Sequence, residues 1–303
     1  MQNNSKNVFV TIIGRPNVGK SSLLNAFLGE KIAAVSAKPQ TTRTKITGVL
    51  TNDEIQYVFM DTPGMHKSKN KLSEHMIKAV NESMSDTEII MLVVDCTKKL
   101  SETEKALIEN IKSSKSKSIL AINKIDLLNN KDSLITTIAE YSALCDFDEV
   151  IPVSAKNGDG LDIIMNVLTE SAVEGPHYFP DDMLTDQPEK VVMAEIIREK
   201  ALNNLNEEIP HGIAVTIESL NERDNRAGEP VLDIEAIIYC EKDSHKGIVI
   251  GKKGSMLRKI GEQARIELEN FFQIKVNLQC WVKVKEGWRN REGIIRNFGL
   301  SSK

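Results

Sequence analysis

Gly14-Arg15-Pro16-Asn17-Val18-Gly19-Lys20-Ser21 matches the pattern G-x-x-x-x-G-K-[ST], and no other stretch restricts the fold of this chain as tightly. The pattern works where a strand hands over to a helix. Val8 to Ile13 is an apolar run of strand type and Ser21 to Leu28 predicts a helix, so that context is present. There the glycines let backbone N–H groups curl around a phosphate, and the helix aims its positive end at the same point. Lys20 reaches the β- and γ-phosphates of a nucleotide, and the Ser21 hydroxyl ligands Mg²⁺. Gly14, Asn17, Val18, Gly19 and Ser22 join them as expected nucleotide contacts.

A strand–loop–helix unit of this kind belongs to a sheet with helices packed on its faces, and residues 1 to 170 repeat the alternation. Ile46 to Leu50 and Ile55 to Met60 predict a hairpin across Thr51-Asn52-Asp53-Glu54, which places one antiparallel edge strand on an otherwise parallel sheet. Glu88 to Asp95, Ser118 to Ile122 and Val150 to Val153 predict further strands, and Ser101 to Ile111 and Leu161 to Leu168 predict helices. The expected architecture is a doubly wound α/β domain with a mostly parallel sheet. A chain of 303 residues that is 41% hydrophobic has material for a second domain with its own core. Cys96, Cys145, Cys240 and Cys280 lie far apart with no C-x-x-C pair, so neither a zinc site nor a disulfide framework is expected. No basic start precedes an apolar core, and no apolar run approaches about 18 residues, so neither a signal peptide nor a membrane span is expected and the protein reads as cytoplasmic.

Between Gly175 and Pro188 the composition shifts to Pro176, Pro180 and Pro188 among Asp181, Asp182 and Asp186, which reads as a linker. Beyond it the pattern predicts a helix from Lys190 to Leu205, strands at Ile213 to Leu220 and Val231 to Glu241, a helix from Ser255 to Phe271 and a strand near Ile274 to Val284. The expected division is an α/β domain at 1–173, a linker at 174–189 and a smaller α+β domain at 190–303, ordered α-β-β-α-α-β. Residues 244 to 303 hold 13 Lys/Arg against 5 Asp/Glu, on a chain whose net charge is −4. A basic end on an acidic body suits attraction to phosphate, although a merely solvated charged face gives the same count.

The motifs after the phosphate loop select the nucleotide. Asp61-Thr62-Pro63-Gly64 ends the second hairpin strand, so Asp61 can reach the metal through water while the Gly64 N–H faces the γ-phosphate. Asn123-Lys124-Ile125-Asp126 closes the next-but-one parallel strand. A carboxylate at Asp126 accepts from guanine N1–H and its exocyclic amine, whereas adenine presents neither donor there. Ser154-Ala155-Lys156 follows the last predicted strand of that sheet and would set a backbone N–H at guanine O6, although by itself it also fits a plain turn.

These residues resemble the translation-factor-related branch of P-loop GTPases, and nearly the full length resembles the Era family of bacterial ribosome-assembly GTPases. Lys38-Pro39-Gln40-Thr41-Thr42-Arg43 resembles that family's first switch, and Glu174-Gly175-Pro176-His177-Tyr178-Phe179-Pro180 resembles its interdomain segment. The resemblance implies GTP and GDP as ligands, GTP hydrolysis with slow intrinsic turnover, and Thr42 as the switch threonine that completes the Mg²⁺ shell, with Thr41 as the alternative. It implies catalytic roles for Lys20, Asn17, Thr42 and Gly64. Met65 stands where many signalling GTPases carry a water-positioning glutamine, and an apolar side chain cannot do that work. Asn17 resembles the residue with which some relatives hold K⁺ beside the phosphates, so K⁺-stimulated turnover is expected.

Gly251-Lys252-Lys253-Gly254, preceded by Gly247-Ile248-Val249-Ile250 and followed by a helix with Met256, Leu257, Ile260, Ala264 and Ile266 at spacings that can form an apolar face, resembles the G-x-x-G loop of a type II KH domain. Such a loop clamps the backbone of single-stranded nucleic acid, and glycine there lets phosphate approach closely. Lys252 and Lys253 would add charge, Ile250 and Ile260 an apolar floor, and Lys246, Arg258, Lys259 and His245 a basic rim. Trp281 and Trp288 fit base stacking or, more simply, core packing. The resemblance implies ribosomal RNA near the 3′ end of the small-subunit RNA as partner, a role in small-subunit assembly, a monomer, and peripheral membrane association as known for the family. A rival reading makes the basic domain a dock for an acidic protein or anionic lipid.

Overall fold

The computed structural model describes residues 5–65, 70–85, 87–130, 132–206 and 209–301. The amino-terminal half alternates as predicted: β1 (Lys6–Ile13), α1 (Lys20–Leu28), β2 (Ile46–Asn52), β3 (Ile55–Asp61), α2 (Lys71–Ser85), β4 (Ile89–Asp95), α3 (Glu102–Ser113), β5 (Lys117–Asn123), α4 (Asp132–Ser142), β6 (Glu149–Pro152) and α5 (Leu161–Ser171). The sheet runs β2-β3-β1-β4-β5-β6; β2 lies antiparallel to β3 at one edge, and the pairs β3-β1-β4-β5-β6 are parallel. Every residue of β4 is buried, as a central strand covered on both faces requires. The period of two divides the strands between two layers. Val8, Val10 and Ile12 join Ile89, Met91 and Val93 against α1 and α5, while Ile13, Ile90, Leu92 and Val94 meet α3 and the end of α2. The strand ends carrying Asp61, Asp95 and Asn123 open on the same edge as the loop after β1, which is where ligands bind in such sheets.

The segment expected to be a linker is fastened to this domain. Val173–Glu174 forms β7, antiparallel to the start of β1. Buried Gln56 accepts from Tyr178 N (2.7 Å) and Phe179 N (3.0 Å) and donates to Phe179 O (2.9 Å). Farther on, Val49 N donates to Leu184 O (2.9 Å) and Thr185 Oγ1 to Thr47 O (2.6 Å). The strap thus runs from the base of β1 along the β2 edge.

The second half follows the predicted order: α6 (Glu189–Asn204), β8 (Ala214–Asp224), β9 (Pro230–Cys240), α7 (Asp243–Ile250), α8 (Ser255–Phe272) and β10 (Lys275–Val284). The sheet order is β10-β9-β8, with β10 parallel and β8 antiparallel to β9. One sheet face carries the core with α6 and α8, built on Ile196, Ile197, Ile238, Val249, Ala264 and Val276. The chain then turns at Trp288 into α9 (Glu292–Asn297), an element absent from the expectations. Trp288 is fully buried and donates from Nε1 to Gly212 O (2.9 Å). It packs with Leu72 and Met76 of α2, Ile237 and Tyr239 of β9, and Ile295 of α9. The two halves therefore share an apolar cluster, and Trp288 is a core residue, not a stacking platform; Trp281 remains 44% exposed.

Candidate functional site

The loop between β1 and α1 needs glycine for two separate reasons. Gly14 has φ +149° and a Cβ there would lie 2.4 Å from Val93 O; Gly19 has φ +103° and a Cβ would lie 2.1 Å from Asn123 Nδ2. Both backbone shape and neighbours exclude a side chain. Lys20, buried, points back over the loop and donates to Arg15 O (2.9 Å) and Gly14 O (3.3 Å). Burial lowers its pKa to about 8, and the nearby Asp61 carboxylate opposes that shift. Ser22 lines the same cavity as Gly19, Lys20, Ser21, Thr42 and Gly64.

Three oxygen side chains converge beside Lys20. Ser21 Oγ donates to Asp61 Oδ2 (2.6 Å) and lies 2.8 Å from Thr42 Oγ1, and Thr42 Oγ1 lies 3.4 Å from the same carboxylate oxygen. Asp61 Oδ1 is buried with no hydrogen-bond partner. Burial raises the Asp61 pKa to about 6 against the pull of Lys20, Ser21, Thr42 and the Thr62 backbone. Two hydroxyls around a buried carboxylate with an orphan oxygen fit a hard dication such as Mg²⁺. Thr41, the alternative ligand, instead donates its hydroxyl to Lys38 O (2.7 Å). Gly64 packs so closely on the phosphate loop that a Cβ would lie 2.6 Å from Pro16, and Met65 N donates to Gly14 O (3.1 Å).

The residues expected around the base are brought together, and several of them also brace one another. Asn123 is buried and braces the loops, donating from Nδ2 to Val18 O (2.9 Å) and accepting at Oδ1 from Ala155 N (3.0 Å). Of the backbone N–H groups in Ser154-Ala155-Lys156, that of Ala155 is thus held by Asn123. Ser154 Oγ donates to Asp126 Oδ1 (2.8 Å), which orients that carboxylate. Lys124, with φ +68°, spans Asn17 O and Asp95 Oδ2, each at 2.7 Å. Lys156 is exposed at the rim. Asn17 has φ +64° and donates from Nδ2 to Ala37 O (2.6 Å), in the loop that closes over the site.

That closing loop is held from the other domain. Arg43 is 3% exposed and donates to Ile213 O (2.6 Å) and His211 O (3.0 Å), with its guanidinium 5.4 Å from the Trp288 ring. Burial first, and then the like charge of Arg198, lowers the Arg43 pKa to about 9. Arg198 of α6 donates to Thr41 O, and Glu199 accepts from Val35 N (2.8 Å) and pairs with Lys31 (2.8 Å). Sequence reasoning missed Arg198 and Glu199. Their signal was two adjacent charged residues among Val192, Met193, Ile196, Ile197, Ala201 and Leu202 of α6.

In the second domain, Gly251 needs its φ of +72° and a Cβ would lie 2.7 Å from Met256 N. Gly254 also has positive φ (+79°), yet nothing lies within 4 Å of where its Cβ would stand, so it faces open space. Lys246, Lys252, Lys253, Arg258 and Lys259 are exposed around this loop. Ile260 corrects the expectation: it is fully buried in the core and cannot form a floor for bases. The groove between α8 and β10 is lined instead by Leu257, Leu278 and Cys280, with Arg258 and Arg265 beside them. Ile250 is half-buried and packs against the core of this domain. Among the described residues no helix is long and apolar enough to cross a membrane.

The family model described as 50S ribosome-binding GTPase matches residues 9–124, and the KH domain model matches residues 208–289. The chain is 50% identical over 298 residues to GTPase Era of Clostridioides difficile strain 630, covering 98% of this chain and 99% of that protein. It is 47% identical to GTPase Era of Ruminiclostridium cellulolyticum, with 98% of each covered. Among solved structures, Era in complex with MgGDPNP and nucleotides 1506–1542 of 16S ribosomal RNA superposes with a TM-score of 0.93 at 36% identity, covering 98% of this chain and 100% of that one. A tyrosine-to-alanine variant of Aquifex aeolicus Era bound to GDP·AlF4⁻ gives a TM-score of 0.92, also at 36% identity and the same coverage.

Proposed function

The chain belongs to the Era family of GTPases, and on that premise we propose that it couples the state of its nucleotide to the grip of its KH domain on ribosomal RNA. It hydrolyses GTP to GDP and phosphate. Lys20 and the backbone of residues 14–22 hold the phosphates, Asp126 reads guanine, and Asn123 and Ser154 fix the loops that present it. Ser21 and Thr42 would hold Mg²⁺, with Asp61 reaching it through water. When bound, the ion neutralises charge that develops on the β- and γ-oxygens. Asn17 turns its Nδ2 to the switch carbonyl of Ala37, which leaves Oδ1 as its acceptor toward a K⁺ ion. Equal turnover in matched KCl and NaCl would remove K⁺ from this account.

One observation carries the coupling. Thr42 converges with Ser21 and Asp61, while the residues on either side of it, Thr41 and Arg43, are bonded into the KH half. Loss of the γ-phosphate would release Thr42 and Gly64, and the attached domain would move with them. The domain division is 1–173, a strap at 174–189, and 190–303. By the likeness to the RNA-bound relative, the ligand is the 3′ end of small-subunit ribosomal RNA, and the setting is assembly of that subunit by a cytoplasmic monomer.

Gly254→Asp tests the RNA assignment. Asp is one of the residues enriched at positive φ, and its side chain enters open space, so the change brings local strain without a clash while a negative charge meets incoming phosphate. Binding of a 3′-end RNA fragment should be lost with GTP binding intact. Three phosphate contacts in the parent protein should weaken RNA binding roughly 20-fold between 50 and 200 mM salt. RNA binding by Gly254→Asp at parental strength, with a flat salt response, would contradict the groove and favour a wider basic face that docks lipid or an acidic protein.

A further inference from the structure

We propose that Arg198, on α6 of the KH domain, is a positioning residue for GTP hydrolysis in the other domain: it holds the closing loop so that Thr42 meets Ser21 and Asp61. The inference rests on the nucleotide half of the reading above and does not require RNA as the ligand.

Arg198 is 2% exposed, and its guanidinium has two anchors. Nε donates to Glu195 Oε1 (2.7 Å) on the preceding turn, and Nη2 donates both to Glu195 and to Thr41 O. Burying a guanidinium is costly unless carboxylate and carbonyl acceptors meet it, so its presence needs both partners. Thr41 O belongs to the peptide that joins Thr41 to Thr42. Fixing that carbonyl fixes the plane from which the Thr42 backbone and hydroxyl project. On the far side of Thr42, Arg43 is anchored to Ile213 O and His211 O. At the start of the loop, Val35 N is anchored to Glu199, the residue after Arg198. The loop bearing Thr42 is thus tied down at its start and on both sides of the threonine, each time to the KH half.

Arg198 bonds Glu195 and the Thr41 carbonyl, and not the side chains of Lys20, Ser21, Thr42 or Asp61. Its effect passes through Thr42, where a misplacement of the order of 1 Å is enough to slow a reaction about a hundredfold. The opposite face of α6 leads to the basic groove. Lys200 pairs with Glu267 (2.9 Å) and Asn204 donates to Gln263 Oε1 (2.6 Å), both on α8, and α8 starts directly after Gly254. A displacement of α8 by a bound ligand would therefore load on the helix that holds Thr41.

The test uses the full chain without RNA, so its outcome is separate from that of the RNA assignment. Arg198→Met keeps a long apolar stem but no donor, and Arg198→Lys restores one donor. Arg223→Ala serves as the control, since it removes an exposed pair with Asp233 at the far end of β8. Single-turnover GTP hydrolysis, GDP affinity, affinity for a non-hydrolysable GTP analogue and thermal unfolding are measured on each. Arg198→Met should hydrolyse GTP about tenfold or more slowly and bind the GTP analogue more weakly, with GDP affinity near that of the parent. Arg198→Lys should recover part of the rate, and Arg223→Ala should match the parent. Hydrolysis at the parental rate in Arg198→Met would overturn the proposal. So would an equal loss of affinity for GDP and for the analogue, because that marks general damage to the pocket.

Discussion

At the scale of single residues, Thr41 and Thr42 divide one role that their sequence leaves open. Thr42 Oγ1 lies 2.8 Å from Ser21 Oγ, whereas Thr41 Oγ1 closes a turn onto Lys38 O. Thr42→Ala should therefore lower hydrolysis about 10- to 100-fold and weaken Mg²⁺ binding in the presence of a GTP analogue. Thr41→Ala should leave hydrolysis near the parental rate, because the bond to Arg198 uses its carbonyl and survives the change. A Mg²⁺ titration of hydrolysis for both variants checks this, and the reverse ranking would contradict it. The phosphate loop, Asp61 and Asp126 were legible because their chemistry demands given residue types at given spacing. The bracing role of Asn123 was not, since its acceptor is the backbone of Val18, 105 positions away. Ile260 was misplaced for a related reason: helical spacing marks an apolar stripe but not what covers it. In the fold, Ile260 faces the core and Leu257 the groove.

At the scale of elements, the strands were legible as apolar runs and α3 as the helical pattern from Ser101 to Ile111, to which the structure adds a Ser101/Glu104 capping box. α6 concealed its role because it is buried on several sides, between the closing loop and the KH sheet, so its sequence shows no clean amphipathic face. α9 gave no signal of its own, and the sequence left Trp288 between stacking and core packing, because the cluster they join includes Leu72 and Met76 of α2 in the other half. The proline-rich segment read as a free linker because its bonds run to β1, β2 and β3, far away in sequence. Gln56 is the clasp of this strap. Gln56→Ala removes its three part-buried bonds to the Tyr178 and Phe179 backbone, which should destabilise the protein by about 2 kcal/mol. Urea unfolding and limited proteolysis near residues 176–187 would report it. Unchanged stability with the strap still protected would show that the other bonds suffice.

At the scale of the whole molecule, the KH half meets the first domain at two places, the closing loop and α2. Arg43 and Thr41 tie down the closing loop, and Leu72 and Met76 of α2 pack on Trp288 and Ile295. His75 on α2 reaches Glu292 on α9 (2.7 Å). Contacts at both places would give a change at the γ-phosphate a physical route to the groove beside Gly254. Reciprocity requires that a ligand in that groove shift nucleotide affinity by the same factor. The most direct test is the affinity of the full chain for a 3′-end fragment of small-subunit ribosomal RNA in K⁺ buffer, measured first with a non-hydrolysable GTP analogue and Mg²⁺ and then with GDP. Coupling through the closing loop predicts affinities that differ about fivefold or more between the two states. Equal affinities would mean that the contacts around Thr42 transmit nothing to the groove, and would contradict the account.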